Sequence, residues 1–398
     1  MKNFVFISPH FPNSYVRFVE ALKRNGFRVL GIGDAPHSEI TPQLRNALTE
    51  YYCCPDMENF DNEVRAITYF QDKYGHIDFL ESNNEFWLEK DAMLRERFGI
   101  SSGIQGSDIA IYQHKSLMKD RYIKAGCPVA KYILVEDIEQ VRNFAKEVGF
   151  PIFIKPDQGV GAAGDFKINN DDDIIDFFEK KWPEITYICE QYITGEIISF
   201  DGVANSKSEV IFCTCNHFPP SISDVLNEHR DVFYYTDPFL KKDLEEIGRK
   251  VVKAFELKNR FFHLEFFRLS KDIPGVGKKG QIAALEANMR PAGGYTPDLI
   301  NYANSVDCYQ IWADCMAYDE NRQFMDFEKY YAGCASRRDC YEYVHSDEEV
   351  KSVFRNSLCA SGRYPLVFSG VMGNRYFMAK FKTLEEMKTF EEFVGLKR

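Results

Sequence analysis

Residues 282–295 read IAALEANMRPAGGY, and the alternation inside that run decides how the chain is understood. Alternate residues of a strand share a face. Glu286, Asn288 and Arg290 therefore point one way, with Ala284 in the same parity. Leu285, Ala287 and Met289 point the other way, into a core. A carboxylate, an amide oxygen and a guanidinium on one face are costly to leave unpaired. Their oxygens suit Mg²⁺, which binds through one or two carboxylates together with substrate phosphates. The competing account is a structural ion pair between Glu286 and Arg290. Upstream, Glu265 interrupts the apolar run FFHLEFFRL (261–269). The GVGKKG segment (275–280) reads as an exposed hairpin tip, which would pair the two runs antiparallel and set Glu265 beside Glu286. Two neighbouring carboxylates repel unless a cation or a proton lies between them.

A second segment points to phosphate. FPIFIKPDQGVGAAGDFKI (150–168) carries Lys155 out of a buried-looking strand into a glycine run, Gly159–Gly164. GVGAAG, like GVGKKG, matches GxGxxG literally, but a dinucleotide fingerprint must open a helix. Here the chain enters another strand-like run, so the segment is a flap between two strands. Backbone N–H groups of such a loop can close over the anion that the lysine meets; a plain β-hairpin is the alternative.

Before this point the chain alternates strand and helix patterns: Asn3–Ile7, a helix over 13–25, a strand over 28–32, a helix over 59–74, a strand over 77–80 and a helix over 85–98. That rhythm implies a parallel sheet covered by helices. No glycine-rich turn follows the first strand. From about 112 come helices at 114–125 and 138–148 and short strands at 131–135 and 152–155. Beyond 188 the chain reads mostly as strands, interrupted by a helix over 240–255. A helix over 309–316, a hairpin around Gly370–Gly373 and a closing helix opened by Thr383 and Glu386 as a capping box complete it. The Asp171–Asp173 run suits the first turn of a helix without a metal.

Composition narrows the function classes. A 398-residue chain with 45% hydrophobic residues has material for several packed units. A net charge of −11 removes the broad basic surface of a nucleic-acid binder. No apolar run approaches the roughly 18 residues of a membrane span, and FVFI near the start is too short for a signal-peptide core. Eleven cysteines without paired CxxC spacing fit a reduced, cytoplasmic protein.

Taken in order, Lys115 in HKSLMKDRYIKAGCPVAKY, Lys155 before the glycine run, EQYITGE (190–196), HLEF (263–266) and LEANMRP (285–291) resemble the ATP-grasp ligases. That superfamily includes biotin carboxylase, the ATP-binding units of carbamoyl-phosphate synthetase and bacterial L-amino-acid ligases. The resemblance implies a mixed α/β and α+β architecture, an ATP-grasp fold preceded by an α/β, Rossmann-like N-terminal domain. The expected divisions are 1–111, 112–308 (a first lobe 112–188 with the glycine loop, a second lobe 189–308 with the metal site) and 309–398 packed on that core.

Residue by residue, the resemblance implies that Lys115 and Lys155 contact ATP phosphates under a loop of Gly159, Gly161, Ala162 and Gly164. Glu190 would accept the adenine amino group, Tyr192 and Ile193 would supply hinge backbone contacts, and Glu196 would bind ribose, unless it is an exposed hairpin acid. Glu265, Glu286 and Asn288 would hold Mg²⁺, expected as two ions, with Mn²⁺ a substitute. Arg290 would steady the transferred phosphoryl group. The implied reaction converts a small-molecule carboxylate to an acyl phosphate for attack by an amine, in amino-acid or small-peptide ligation. The alternatives are a purine-pathway carboxylase or formyltransferase of the same fold and an ATP-binding regulator without turnover. No nucleic-acid or membrane partner is expected, and a homodimer is an option.

Several residues carry two readings. Glu85, just after a strand, could hold a substrate ammonium or simply sit at a helix start. His263 could orient a metal ligand or be a satisfied core histidine. His229 and Arg230 either face the nucleotide cleft or lie on the surface. Gly293 and Gly294 allow close approach of a substrate or form a plain turn. Cys213 and Cys215 read as strand packing.

Overall fold

The computed structural model describes residues 1–159, 164–218 and 231–398. Gly161 and Ala162 of the glycine run, and His229 and Arg230, lie outside the described residues.

The first sheet is parallel, in the order β3-β2-β1-β4, from β1 (Asn3–Ile7), β2 (Arg28–Gly33), β3 (Glu50–Cys53) and β4 (Phe79–Glu81). β1 is buried along its whole length, as a strand covered on both faces must be. One cover is the helix Val16–Arg24, whose Phe18 and Leu22 pack with Phe4, Phe6 and Trp312. Trp312 belongs to the helix Cys308–Tyr318, so a late segment completes the first core. The other cover is the helix Phe60–Tyr74, opened by Asn59, whose side chain accepts from Asp61 N. β3 and the helix Pro42–Ala47 escape a reading by apolar periodicity because both are short.

The second sheet, in the order β5-β8-β6-β7, is antiparallel: β5 (Tyr132–Leu134), β6 (Ile152–Pro156), β7 (Phe166–Ile168) and β8 (Tyr187–Gln191). Helices Ile138–Val148 and Asp171–Lys180 share one apolar cluster with it. Asp171 takes two 2.8 Å hydrogen bonds from Arg142 of the other helix. The acidic run therefore serves a helix start and a helix–helix tie.

The third sheet has eight strands in the order β13-β12-β9-β10-β11-β14-β16-β15. They are β9 (Gly195–Ala204), β10 (Val210–Phe218), β11 (Phe233–Asp237), β12 (Arg260–Leu269), β13 (Ile282–Asn288), β14 (Tyr331–Arg337), β15 (Leu358–Arg363) and β16 (Arg375–Phe381). The strands after 309 thus continue the sheet that carries β12 and β13. β15 and β16 pair antiparallel through a connection that includes the short helix Ser369–Met372, which corresponds to the hairpin expected around Gly370–Gly373. The capping box at Thr383 is formed on both sides. Among the described residues no helix is long and apolar enough to cross a membrane.

One expectation is corrected at β13. Glu286 faces Glu265, but Phe266 faces Ala284, so Leu285 is an extra residue in the ladder. This bulge reverses the parity. Ile282 and Ala284 fall into the same core cluster as Ala287 and Met289, not onto the face of Glu286. Bulges bend a strand locally and re-aim side chains, and they gather beside functional sites.

Candidate functional site

Glu265 and Glu286 are directly opposed across the β12–β13 ladder, and Asn288 is opposed to His263. Opposed residues on adjacent strands bring their Cβ atoms within about 5.5 Å. Three cations lie near the carboxylate pair. Lys115, the first residue of the helix Lys115–Lys124, has its Nζ 3.4 Å from Glu286 Oε1 and donates to Gly159 O at 3.0 Å. Arg290, just past the end of β13, donates to Asn288 Oδ1 at 3.4 Å, and its Nε lies 3.6 Å from Glu85 Oε2. Lys155, buried in β6, has its Nζ 3.3 Å from Glu190 Oε2.

Local structure explains how Lys115 is aimed. Asp157, between β6 and the glycine run, accepts from Ser116 N at 2.8 Å and Ser116 Oγ at 3.0 Å, and pairs with His114 at 2.9 Å. Lys115 N in turn donates to Asp157 O at 2.8 Å. One carboxylate thus staples the helix start to the loop, leaving the lysine side chain free to reach across. Asp157 had no signal in the sequence beyond its place beside the glycines.

Glu190, expected to accept the adenine amino group, is paired with two lysines in this structure. Its carboxylate lies between Lys119 Nζ, at 3.0 Å, and Lys155 Nζ. Burial opposes its ionisation, but the two ammonium groups prevail and hold the carboxyl down at about 2. Burial also penalises the charge of Lys155, yet Glu190 and Glu286 more than offset this and raise its pKa. Lys119 lies on the helix that starts with Lys115, and nothing in the sequence marks it. Its position under β8 is a product of packing.

The remaining candidate positions have partners of their own. Ile193 is buried in a small cluster, and the Tyr192 ring receives Lys167 Nζ at 4.7 Å. Glu196 keeps its carboxylate 2.6 Å from His217 Nδ1, and the His217 ring stacks flat on Tyr235 at 4.6 Å. Burial works against the ionised His263, but Asp201 at 2.8 Å and Glu265 at 3.3 Å raise its pKa to about 10. Burial likewise opposes ionisation of Glu265, and the hydrogen bond from His263 leads the group that keeps its carboxyl low. Gly159 and Gly164 have φ of +133° and +87°, a backbone that glycine tolerates and other residues rarely adopt.

Beside Arg290, the segment after β4 presents buried polar atoms that make no hydrogen bond. Asn83 is fully buried at φ +53°, and neither end of its amide makes a hydrogen bond. Glu85 Oε2 is also buried without one. Burial raises the Glu85 pKa against the pull of Arg290. Tyr15 braces this turn by donating to Asn83 O at 2.5 Å. A cleft of about 160 Å³ joins Glu85 and Phe86 to Gly159, Glu286 and Asn288. A roomier cleft of about 530 Å³ lies against β3 and Tyr69 and contains none of these residues.

The donor set fits a hard divalent cation. Glu265, Glu286 and Asn288 offer oxygen ligands from adjacent strands, balanced in this structure by lysine, arginine and histidine. Among the described residues no three His, Cys, Asp or Glu side chains form a cage of their own. Mg²⁺, which completes its shell with phosphate and water, does not need one. All eleven cysteines are free thiols.

The carbamoyl-phosphate synthase L chain ATP-binding domain model matches residues 79–194. The fold is similar across 98% of this chain and 96% of the other to an L-amino acid ligase from Bacillus licheniformis, with TM-score 0.73 and 14% identity. This chain has the fold of the ATP-grasp enzymes. Among curated relatives, the L-arginine-specific L-amino acid ligase of Bacillus subtilis is 26% identical over 62% of this chain and 59% of its own length. The alanine–anticapsin ligase of Bacillus subtilis strain 168 is 24% identical over 80% of this chain and 70% of its own. The match thus spans about three-fifths of the first of these relatives.

Proposed function

We propose that this protein is a carboxylate–amine ligase that joins an amino acid or small peptide through an acyl phosphate, releasing ADP and phosphate. The observation that carries the reading is the opposed pair Glu265–Glu286 with Asn288, enclosed by Lys115, Lys155 and Arg290. A metal-ion site next to cations that reach over a glycine loop suits a triphosphate. The names of the relatives favour amino-acid substrates.

In the first step a substrate carboxylate oxygen attacks the γ-phosphorus, and the bond to the bridging oxygen of ADP breaks. In the second, an amine nitrogen attacks the acyl carbon, the C–O bond to phosphate breaks, and the amine sheds a proton. Mg²⁺ held by Glu265, Glu286 and Asn288 supplies charge neutralisation for the phosphates. Lys115 and Lys155 hold phosphate oxygens in line, because little covalent work falls to the protein in phosphoryl transfer. Arg290 stabilises charge on the transferred group as it moves from ADP to the carboxylate. Glu85, ion-paired to Arg290, and Asn83, whose buried amide has no hydrogen-bond partner, hold the ammonium of an amino-acid substrate.

The test is ADP and phosphate release from ATP in the presence of pooled amino acids, small carboxylates or bicarbonate. Release that depends on amino acids, stops with EDTA and returns with Mg²⁺ is the expected result. Release driven by bicarbonate, or indifferent to metal, would reject the reading.

Lys155→Ala is expected to raise the dissociation constant for ATP by about 10-fold or more, measured by titration calorimetry, since a charge-assisted phosphate contact is worth roughly 1.5–3 kcal/mol. The same change leaves Glu190 with Lys119 alone, so a lower melting temperature accompanies it. Unchanged ATP affinity would return Lys155 to a structural role.

A further inference from the structure

A line of buried polar side chains crosses four strands of the third sheet and ends at Glu265. Thr236 on β11 donates to Asn216 Oδ1 at 2.6 Å, and Asn216 on β10 donates to Asp201 Oδ2 at 2.7 Å. Asp201 on β9 also accepts from Ser199 Oγ. Its other oxygen meets His263 Nδ1 at 2.8 Å, and His263 Nε2 lies 3.3 Å from Glu265 Oε1. Thr236, Asn216, Asp201 and Ser199 have no exposed surface, and His263 has 5%. The strand register accounts for the alignment: His263 faces Asp201, Asn216 faces both Ser199 and Thr236, and Glu265 faces Ser199.

We infer that His263 is a positioning residue, which fixes the Glu265 carboxylate for metal binding and is itself fixed by the Asp201–Asn216–Thr236 line. The inference rests on the assignment of Glu265 as a metal ligand. Asp201 pairs with Nδ1 and so sets the tilt of the imidazole. The opposite nitrogen is then held 3.3 Å from Oε1 of Glu265, which leaves Oε2 for the cation. A packed apolar filling of this region would hold the sheet together at lower cost than an ionised aspartate. The bonds of Asn216, Ser199 and His263 instead converge on Asp201, which holds the imidazole against Glu265. Partners behind a metal ligand fix its orientation and are worth about 10- to 100-fold in metal affinity.

Two near-isosteres separate positioning from filling. In His263→Asn the amide nitrogen takes the place of Nδ1, keeping the bond to Asp201 and losing the one to Glu265. In His263→Gln it takes the place of Nε2, keeping Glu265 and losing Asp201. The probe is Mn²⁺ binding in the presence of ADP, read from the electron paramagnetic resonance signal of free Mn²⁺, with thermal melting in parallel. Wild type is expected to bind Mn²⁺, and Glu265→Gln to abolish tight binding. His263→Asn should weaken affinity by about 10- to 100-fold, while His263→Gln stays within about 3-fold of wild type though it melts lower. A filling role predicts the same order of stability but no change in Mn²⁺ affinity in either variant. Affinity unchanged in both His263 variants while Glu265→Gln loses binding rejects the positioning role and leaves the metal assignment standing. Affinity unchanged in Glu265→Gln rejects both. If neither His263 variant folds, Asp201→Asn takes their place, keeping the imidazole but weakening its anchor, and unchanged Mn²⁺ affinity there overturns the inference.

Discussion

Glu286→Gln is expected to reduce turnover by about 10³-fold or more and to leave the fold in place. Loss of one electrostatic partner at a phosphoryl-transfer centre costs roughly 10²–10³-fold, and here the lost charge also belongs to a metal ligand. The strand is held independently of the carboxylate, because Tyr122 OH donates to Glu286 O at 2.7 Å and the β12–β13 ladder is made by backbone. The side chain is partly open, at 26% exposure, so glutamine fits without new burial. Lys115 loses one partner and keeps Gly159 O. The melting temperature is therefore expected to move by little, and ATP affinity measured without metal should not fall. Mg²⁺-dependent ADP release is the quantity that collapses. Ordinary activity in this variant would remove Glu286 from the metal site and with it the main support for ligation.

What the sequence could reveal here follows from how local each feature is. The opposition of Glu265 and Glu286 was legible because two apolar runs, each broken by one acid, are joined by a short glycine–lysine turn. Such a hairpin leaves few registers. The bulge at Leu285 was not legible, since an alternation count cannot see a residue that the partner strand skips. Lys155 stood out from its place between an apolar strand and the glycine run, and Lys115 only through the order of segments that carries the resemblance, whereas nothing marked Lys119, which lies buried against Glu190. The Asp201–His263 line was the hardest to foresee. Its members come from four strands whose register arises from pairing distant in sequence, and only His263 carried a local hint. β11, β14 and β15 lacked a clear signal for a related reason: each is one short row in a wide sheet, with small residues such as those of LCASGR supplying little alternation.

Glu63→Gln is expected to stabilise the protein by about 2–3 kcal/mol at pH 7, with a gain that fades as the pH falls toward 4.5. Glu63 lies in the first turn of the helix Phe60–Tyr74, a place that looks favourable for an acid because of the helix dipole. In the fold it is completely buried, and neither carboxylate oxygen has a hydrogen-bond partner. Burial raises its pKa to about 8, the charge of nearby Asp91 adds to the rise, and Lys90 only partly opposes it. The native state therefore keeps its proton over a range in which the unfolded chain has released it. Between about pH 4.5 and 8 the native state binds more protons, so wild-type stability falls as pH rises and levels off above that window. Glutamine has nearly the same shape and no proton to lose, so the variant escapes that slope. A buried amide without partners keeps some of the desolvation cost, about 1–3 kcal/mol, and this trims the gain below what the pKa shift alone implies. Urea unfolding at pH 5, 7 and 8 is the measurement. Parallel stabilities of wild type and variant across the three pH values would mean that Glu63 is ionised in the native state, with a cation or water supplying the partner its oxygens lack.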